Sequence, residues 1–249
     1  MMYTVFGTNL IKKMKAIILA AGLGSRLRPI TNEIPKCMVA VNGISIIEKQ
    51  LNNLIENGIK DICVVTGYKG EVLRNLVKYN FPFVKIVDNN RYNETNNMYS
   101  LYLCKDFVAD DDFLLMNADV FYDANIVTGI LQSEQPNMIA CEVGCYNEES
   151  MKITIDGDNS ITHISKQITE REAYATSIDV YKMGNEGRQF LWNKILHIIK
   201  IEGNENSWTE VALDEILPYV KFYPYAIEGR WFEIDTHDDL AQAERLFKD

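Results

Sequence analysis

The chain has 249 residues, of which 47% are hydrophobic, and a formal net charge of −10. This length is sufficient for a sizeable buried core, and the acidic balance argues against nucleic acid or an anionic membrane surface as a partner. The six prolines are scattered and no Ser/Gly-rich linker interrupts the chain, so we expect a single α/β domain over residues 14–249. Residues 1–13 precede its first strand, and two interpretations stay open: a dispensable extension, or an upstream start that is not the native one.

The cysteines and the start of the chain indicate the compartment. The five cysteines are odd in number and most lie in apolar, strand-like runs without metal-ligand spacing, which predicts reduced thiols. No apolar stretch is long enough to span a bilayer, and residues 1–13 lack the order of a secretory signal. We therefore expect a cytoplasmic protein with no membrane partner, whose oligomeric state the sequence does not fix.

Strands and helices are predicted to alternate along the first half of the chain. The apolar run at residues 16–21 is too short for a typical buried helix and predicts a central parallel strand that is covered on both faces. The alternation continues with a helix at 45–58, a strand at 62–66, a helix at 71–79, a strand at 84–89, a helix at 97–104 and a strand at 113–117. This order is typical of a Rossmann-like, doubly wound α/β fold with a mainly parallel sheet, whose ligands bind at the carboxyl ends of the strands.

Beyond residue 138 the pattern changes to successive strand-like segments. They are predicted at residues 138–144, 152–155, 161–166 and 175–181, and a last helix is predicted at 238–247. Consecutive strands without intervening helices indicate mixed or antiparallel pairing. We expect them to form a lid portion at the carboxyl-terminal side of the domain.

The first strand leads into a glycine-containing turn, Gly22-Leu23-Gly24-Ser25-Arg26. Two glycines one residue apart leave backbone N–H groups uncovered by side chains, so a triphosphate can approach closely. Between residues 15 and 36 the sequence has four cationic residues and a single acid, Glu33. Within an acidic protein this cluster, with Arg26 and Lys36 as hydrogen-bond donors, indicates a polyphosphate ligand whose remaining charge a divalent cation neutralises.

The turn does not match the two commonest glycine motifs. Gly-x-x-x-x-Gly-Lys-Ser/Thr is absent, and the turn lacks the third glycine of a dinucleotide fingerprint. The segment L-A-A-G-L-G-S-R-L-R-P at 19–29, followed by Pro35-Lys36, instead resembles the signature of the nucleotidyltransferases that make nucleotide-activated sugars and alcohols. The resemblance covers most of the chain from residue 14 and is densest at 15–36, 96–119 and 228–240.

This resemblance implies a catalytic and metal-binding set. Lys36 stabilises charge on the transferred α-phosphate, with Arg26 and Asp119 as its catalytic partners, and Asp119 and Asp235 jointly hold Mg²⁺ on the nucleotide phosphates. On the residues alone, each aspartate could instead cap a turn or helix. The resemblance further implies nucleotide binding by Leu19, Ala21, Gly22, Gly24, Ser25, Arg26, Lys36, Gly67, Tyr68, Asn97, Ser100 and Ala118.

The segment Asn-Asn-Met-Tyr-Ser-Leu at 96–101 resembles the corresponding stretch of phosphocholine cytidylyltransferases, which points to CTP as the nucleotide. The implied reaction transfers CMP to a small phosphorylated acceptor, phosphoglutamine first and phosphocholine second, and releases pyrophosphate. Acceptor binding is assigned to Lys166, Asp179, Glu210 and Trp231, although each of them has a plain structural interpretation when taken alone.

Two alternatives stay open. One is a sugar-1-phosphate nucleotidyltransferase that uses UTP or dTTP, against which the Ser-Lys-Gln form at 165–167 and the 96–101 segment both argue. The other is a nucleotide-binding subunit of the same fold without catalytic activity.

Overall fold

The structure is a computed structural model that describes residues 14–248, so the interpretations of residues 1–13 lie outside the described residues. Its strands are β1 (Met14–Ala20), β2 (Ala40–Val41), β3 (Ile44–Ser45), β4 (Ile62–Thr66), β5 (Lys85–Asp88), β6 (Asp112–Asn117), β7 (Val120–Tyr122), β8 (Met138–Val143), β9 (Lys152–Ile155), β10 (Ile161–Ser165), β11 (Ala175–Met183), β12 (Tyr223–Ala226) and β13 (Trp231–Glu233). Its α-helices are α1 (Ile46–Glu56), α2 (Gly70–Asn80), α3 (Asn97–Tyr102), α4 (Lys105–Val108), α5 (Ala124–Gln132), α6 (Asn185–Lys200), α7 (Thr209–Ile216) and α8 (His237–Leu246).

The central strand β1 is covered on both faces, as its apolar run predicts. It pairs in parallel with β4 on one side and with β6 on the other, and β4 pairs in parallel with β5. Ile17 and Leu19 pack in one hydrophobic cluster with α6 and α7, whereas Ala16 and Ile18 pack in a second cluster with α1, α2 and α5. Helices on both faces of a mostly parallel sheet confirm the predicted Rossmann-like, doubly wound architecture.

The carboxyl-terminal strands β8 to β12 show the predicted mixed or antiparallel pairing: most pair antiparallel, β12 pairs in parallel with β8, and all of them belong to the central sheet. The strand order is β10-β9-β11-β6-β1-β4-β5, with β8 pairing to β11 and β12. One edge of β11 pairs antiparallel with β8 at both its first and its last residues. The other edge pairs with β9 at Ala175 and Thr176 and with β6 at Val180–Met183. The expected lid portion is therefore a continuation of one nine-stranded sheet, because β11 is long enough to pair with β9 and β6 in succession.

Several short elements differ from the predicted ones. The helix expected at 97–104 ends at Tyr102 and is followed by the separate four-residue helix α4. The pair β7 and β13 forms a small antiparallel sheet that the hydrophobic pattern does not predict, since three residues are too few to show a period. Helices α5, α6 and α7 were likewise not predicted. No helix within residues 14–248 is long and apolar enough to cross a membrane.

Candidate active site

A pocket opens at the carboxyl ends of β1 and β6, where a doubly wound sheet binds its ligands. Most of the site residues predicted from the sequence line it together: Leu19, Ala21, Gly22, Arg26, Lys36, Asn97, Ser100, Ala118, Asp119, Lys166, Asp179, Glu210 and Asp235. The pocket lining also includes Asn96, from the segment that points to CTP, and Trp208, which the resemblance places in the acceptor pocket. It further includes residues that the sequence did not single out for this role: Ala20, Cys37, Asn89, Tyr92, Thr95, Asn117, Ser150, Met151 and Glu233. Five predicted residues do not line it: Gly24, Ser25, Gly67, Tyr68 and Trp231.

The two glycines of the turn have different roles. Gly22 is exposed, and a Cβ built on it would meet nothing within 4 Å, so its backbone faces open space beside the pocket. Gly24 has φ +59°, and a Cβ there would lie 2.7 Å from the Cβ of Lys36. Glycine at 24 therefore allows the left-handed backbone and the close approach of Lys36. The exposed Ser25 begins the 3-10 turn Ser25–Leu27 that follows.

The Gly67-Tyr68 turn packs against Ala21, the residue that precedes the glycine turn. A Cβ on Gly67 would lie 2.7 Å from both the carbonyl oxygen of Ala21 and the Cβ of Tyr92, so only glycine fits there. The Tyr68 N–H donates to the Ala21 carbonyl at 3.2 Å, and its hydroxyl donates to the Thr31 carbonyl at 2.8 Å. These two residues hold the nucleotide-side loop in place and do not reach the pocket.

Lys36 lies between two carboxylates at the pocket floor. Its Nζ donates to Asp119 Oδ2 at 2.9 Å and to Asp235 Oδ1 at 2.5 Å. Burial alone would lower the pKa of Lys36, but the two carboxylates outweigh burial and raise it above its ordinary value. Arg26, whose side chain is 56% exposed, contacts the other oxygen of Asp235 at 2.7 Å. Lys36 is therefore charged at neutral pH, and both side chains line the pocket.

Asp119 and Asp235 come from distant segments that the small sheet brings together. The antiparallel pairing of β13 with β7 places Glu233 opposite Val120, and the Ile234 N–H donates to the backbone carbonyl of Asp119 at 2.9 Å. The last helix, α8, is capped by Thr236 in a capping box with Asp239, so Asp235 is not its N-cap. The carboxylate of Asp235 remains directed at Lys36 and Arg26.

Three carboxylates form a group suited to a divalent cation. Ligand atoms of Asp119, Glu233 and Asp235 all lie within 4.8 Å of one another. Asp119 Oδ1 is buried and has no hydrogen-bond partner among residues 14–248, which leaves it available as a ligand. Carboxylate oxygens are the ligands that Mg²⁺ prefers, so the residues present fit the cation that the sequence predicts.

Glu233 is the member of this group that the sequence analysis missed. Its position two residues before Asp235 on an extended segment was the available signal, because alternate residues of a strand share a face. Burial, together with the charges of Asp119 and Asp235, raises the pKa of Glu233 to about 7. Ser150 donates to its Oε2 at 2.9 Å and orients the carboxyl group.

A second acidic cluster lies on the β11 and α7 wall of the pocket. The Tyr181 hydroxyl lies 2.9 Å from Asp179 Oδ1 and 2.9 Å from Glu210 Oε1. Asp179 has φ +58°, at a register shift of β11, and Asn117 Nδ2 donates to its Oδ2 at 2.9 Å. Burial and the nearby charge of Glu210 raise the pKa of Asp179 well above its ordinary range. We refer to Asp179, Tyr181 and Glu210 as the acid triad.

Lys166 and Trp208 lie together at the edge of the pocket. The Lys166 Nζ lies 5.1 Å from the centroid of the Trp208 ring, a cation–π contact. The loop that carries Lys166 is held by Lys152, whose fully buried Nζ donates to the carbonyl of Lys166 at 2.7 Å and to those of Asn147 and Glu148. Lys152 thereby fixes the backbone at Lys166.

The Asn-Asn-Met-Tyr-Ser-Leu segment begins α3 beside the pocket. Asn96 is the N-cap, and its Oδ1 accepts from the Asn97 N–H at 2.9 Å. Asn97 Oδ1 accepts from the Thr209 N–H at 2.8 Å, while Asn89 Nδ2 donates to Ser100 Oγ at 3.0 Å. These polar groups line the pocket and also tie α3 to α7.

Trp231 lies away from the acceptor side of the pocket. Its indole N–H donates to Glu142 Oε2 at 2.8 Å, and its ring packs against the hydrophobic cluster under α1, α2 and α5. The expectation that Trp231 contacts the acceptor is therefore not supported by its position, since β13 directs Glu233 and not Trp231 to the pocket.

Comparison with known proteins agrees with this geometry. A family model described as Nucleotidyl transferase matches residues 15–246. The chain belongs to the nucleotidyl transferase family. This nucleotidyltransferase is 38% identical over 255 aligned residues to the CTP:phosphoglutamine cytidylyltransferase of Campylobacter jejuni, an alignment that covers 91% of this chain and 98% of the relative.

A second relative matches over a shorter stretch. The nucleotidyltransferase is 47% identical over 111 residues to the choline-phosphate cytidylyltransferase of Streptococcus pneumoniae, which is 42% of this chain and 47% of the relative, so about half of that relative is spanned. Among solved structures, the CTP:phosphocholine cytidylyltransferase LicC of Streptococcus pneumoniae superposes with a TM-score of 0.77 at 27% identity, covering 95% of this chain and 100% of that one. The predicted family and the predicted enzyme class are confirmed.

Proposed function

We propose that this nucleotidyltransferase transfers CMP from CTP to a small phosphorylated acceptor that carries an amino group, with phosphoglutamine as the first candidate and phosphocholine as the second. The observation that carries the proposal is one pocket that contains both kinds of site. Lys36, Arg26 and the open backbone of Gly22 lie at the end of β1, and the buried acid triad lies on the wall formed by β11 and α7. The first group suits a triphosphate and the second suits a cation.

In the proposed reaction a phosphate oxygen of the acceptor attacks the α-phosphorus of CTP. A new P–O bond forms, the bond from the α-phosphorus to the bridging oxygen of the β-phosphate breaks, and its electron pair leaves with pyrophosphate. An acceptor phosphate is already a nucleophile, so alignment and charge neutralisation are the main tasks of the protein. Lys36 and Arg26 supply fixed positive charge, and the Gly22 backbone permits close approach of the phosphates. Mg²⁺ held by Asp119, Glu233 and Asp235 would neutralise part of the triphosphate charge.

The histidines support a reaction without a covalent enzyme intermediate. All three lie within the described residues, and none lines the pocket. His163 contacts Asp214, His197 pairs with Glu202, and His237 contacts the carbonyl of Arg28. None of them is placed to activate a serine or cysteine beside a bound nucleotide.

CTP is the preferred nucleotide because the relative aligned over 98% of its length is named as a CTP-dependent enzyme. The same relative supports phosphoglutamine, a zwitterion whose ammonium group suits the acid triad. Lys166, which also lines the pocket, supplies a cation for the phosphate or carboxylate of the acceptor. Acceptor binding by Lys166, Asp179 and Glu210 thus remains our assignment.

The test is pyrophosphate release with Mg²⁺ and each of CTP, UTP, GTP, dTTP and ATP, measured against phosphoglutamine, phosphocholine and several sugar 1-phosphates. Release confined to CTP with an amine-bearing phosphate supports the proposal. Release with UTP or dTTP and a sugar 1-phosphate contradicts the proposal and indicates a sugar-1-phosphate nucleotidyltransferase. Nucleotide binding without any release indicates a non-catalytic subunit. Asp119→Asn, which removes a metal-ligand charge at unchanged shape, is the inactive control.

A further inference from the structure

With both carboxyl groups ionised, the acid triad has one hydrogen atom for two hydrogen bonds. Tyr181 places a single phenolic oxygen at 2.9 Å from both Asp179 Oδ1 and Glu210 Oε1. A hydroxyl donates one hydrogen bond, so its hydrogen serves one of the two carboxyl groups. The second contact then needs a hydrogen on the other carboxyl group. The geometry points to two carboxyl groups that share one additional proton when no ligand is bound.

The surroundings of the triad favour this added proton. Tyr181 and Glu210 are only 1% and 4% exposed. Asp179 faces the charges of Asp119 and Glu233 as well as that of Glu210, with Asn117 as its amide donor. Around Glu210, Asn97 donates an amide hydrogen to Oε2 at 3.4 Å and Lys166 supplies the nearby positive charge. Burial, as the main cause, raises the pKa of both carboxyl groups above their ordinary values.

The same wall offers little to a cation that has no N–H groups. A quaternary ammonium binds best against open aromatic faces. Among the described residues that line the pocket, Tyr92 and Trp208 are the aromatic ones. One face of the Trp208 ring is occupied by the Lys166 Nζ, 5.1 Å from the ring centroid. The triad itself offers carboxyl oxygens, which accept hydrogen bonds.

We propose that the acid triad binds the acceptor through the N–H donors of a primary ammonium group, which replaces the shared proton and selects phosphorylated primary amines over quaternary ones. The proton leaves the carboxyl group for solvent, the ammonium keeps its own protons, and no covalent bond changes. Tyr181 is then a positioning residue, because its hydroxyl lies 2.9 Å from each of the two carboxyl groups. This inference rests on the proposed function and names the acceptor class of that site.

Phosphoethanolamine and phosphocholine provide a matched pair of probes, because they differ only in the three N-methyl groups. We expect kcat/KM with CTP and Mg²⁺ to favour phosphoethanolamine by at least about tenfold, since a site built for N–H donors rejects a ligand without them. Glu210→Gln should raise the KM for phosphoethanolamine and reduce the preference, while the KM for CTP stays the same. Trp231→Phe, at a residue outside the pocket, should keep the preference unchanged.

Calorimetry supplies a readout that a purely structural role would not change. Phosphoethanolamine is titrated into the enzyme in the presence of α,β-methylene-CTP and Mg²⁺, in two buffers of different ionisation enthalpy. The difference between the two buffers gives the number of protons released on binding. We expect the wild type to release about one proton more than Glu210→Gln. In that variant the amide Nε2 supplies the missing hydrogen to Tyr181, so no added proton is present. Tyr181→Phe checks that the effect depends on the hydroxyl group.

The outcomes separate this inference from the proposed function. If CTP reacts equally well or better with phosphocholine, or if the wild type and Glu210→Gln release the same number of protons, the inference is wrong while the cytidylyltransferase assignment stands. If no amine-bearing phosphate reacts with CTP but a sugar 1-phosphate reacts with UTP or dTTP, the proposed function fails and the inference fails with it.

Discussion

The Nζ of Lys36 lies 2.9 Å from Oδ2 of Asp119, so the cation assigned to the α-phosphate directly contacts a carboxylate assigned to the metal. A second contact to Asp235 places the same ammonium between two of the three proposed metal ligands. In the absence of a ligand, the lysine therefore neutralises carboxylates that a divalent cation would otherwise neutralise. The Lys36 ammonium group and a bound divalent cation would therefore compete for the same two carboxylates, Asp119 and Asp235.

Replacing Lys36 by methionine should strengthen metal binding and abolish turnover. Removing the competing cation leaves Asp119 without its ion pair and Asp235 paired with Arg26 alone, so we expect Mn²⁺ to bind about tenfold more tightly without nucleotide. Turnover should fall by a factor of about 100 or more, since a charge at the reacting phosphate is lost. Electron paramagnetic resonance of free Mn²⁺ measures the binding. Arg26→Met, with a more exposed side chain, is the control that should change Mn²⁺ affinity less; unchanged affinity in Lys36→Met would contradict the competition.

The two glycines of the nucleotide turn should differ in their response to alanine. Gly24→Ala forces a Cβ into a left-handed backbone at 2.7 Å from Lys36, and we expect it to cost about 1–2 kcal/mol of stability. Gly22→Ala has open space around the new methyl group, so stability should stay within about 0.5 kcal/mol while affinity for CTP falls. Urea unfolding and CTP titration measure the two effects. Equal loss of stability in both variants would contradict these roles.

The raised pKa of Asp179 should make stability depend on pH. The folded state binds this proton more tightly than the unfolded state, whose carboxyl titrates near 4, so wild-type stability falls as the pH rises above about 4 through the folded pKa. Asp179→Asn removes that loss of stability at high pH. The difference in melting temperature, variant minus wild type, should therefore be larger at pH 8 than at pH 5. Asp110→Asn, at a fully exposed side chain, is the matched control and should show no such difference.

Two buried lysines allow a test of how Lys166 is positioned. Lys152→Met removes a buried ammonium group that donates to three carbonyl groups, and we expect it to cost about 1–3 kcal/mol of stability and to raise the KM for the acceptor. The buried Lys182 also donates to carbonyl groups, those of Ile130 and Ser133, but does not line the pocket. Lys182→Met should lower stability by a similar amount and leave that KM unchanged. An increase in KM in both variants would indicate general loosening of the fold.

Local sequence features predicted the parallel half of the fold and the nucleotide side of the pocket. A buried parallel strand such as β4 is a continuous apolar run, which the sequence shows directly. The glycine turn after β1 is recognised from its two glycines and the cationic residues that follow them. The acceptor side is built from residues whose partners lie far away in sequence. Asn117 meets Asp179 because β11 pairs antiparallel with β6, and Tyr181 meets Glu210 across β11 and α7. No local pattern specifies either contact.

The same limit explains why some of the predicted site residues do not line the pocket. Gly67 and Tyr68 do follow a parallel strand at its carboxyl end, where ligands are expected, but the space in front of them is filled by Ala21. Trp231 begins the short strand β13, and only the pairing of that strand with β7 decides that Glu233, at its other end, reaches the pocket. Tertiary pairing, which spacing along the chain does not report, determines both outcomes.

The strand order β11-β6-β1 fixes the distance between the two ends of the proposed acceptor site. Asp179 belongs to β11, Asp119 follows β6 and Gly22 follows β1, so three adjacent strands carry the proposed ammonium site, the proposed metal ligand and the glycine turn. Neighbouring strands lie about 4.8 Å apart, which separates β11 from β1 by about 10 Å. Backbone hydrogen bonds fix this spacing. Under the proposed function we therefore expect an acceptor to be selected by its length as well as by its charge, because its phosphate must reach the nucleotide while its amine stays at β11.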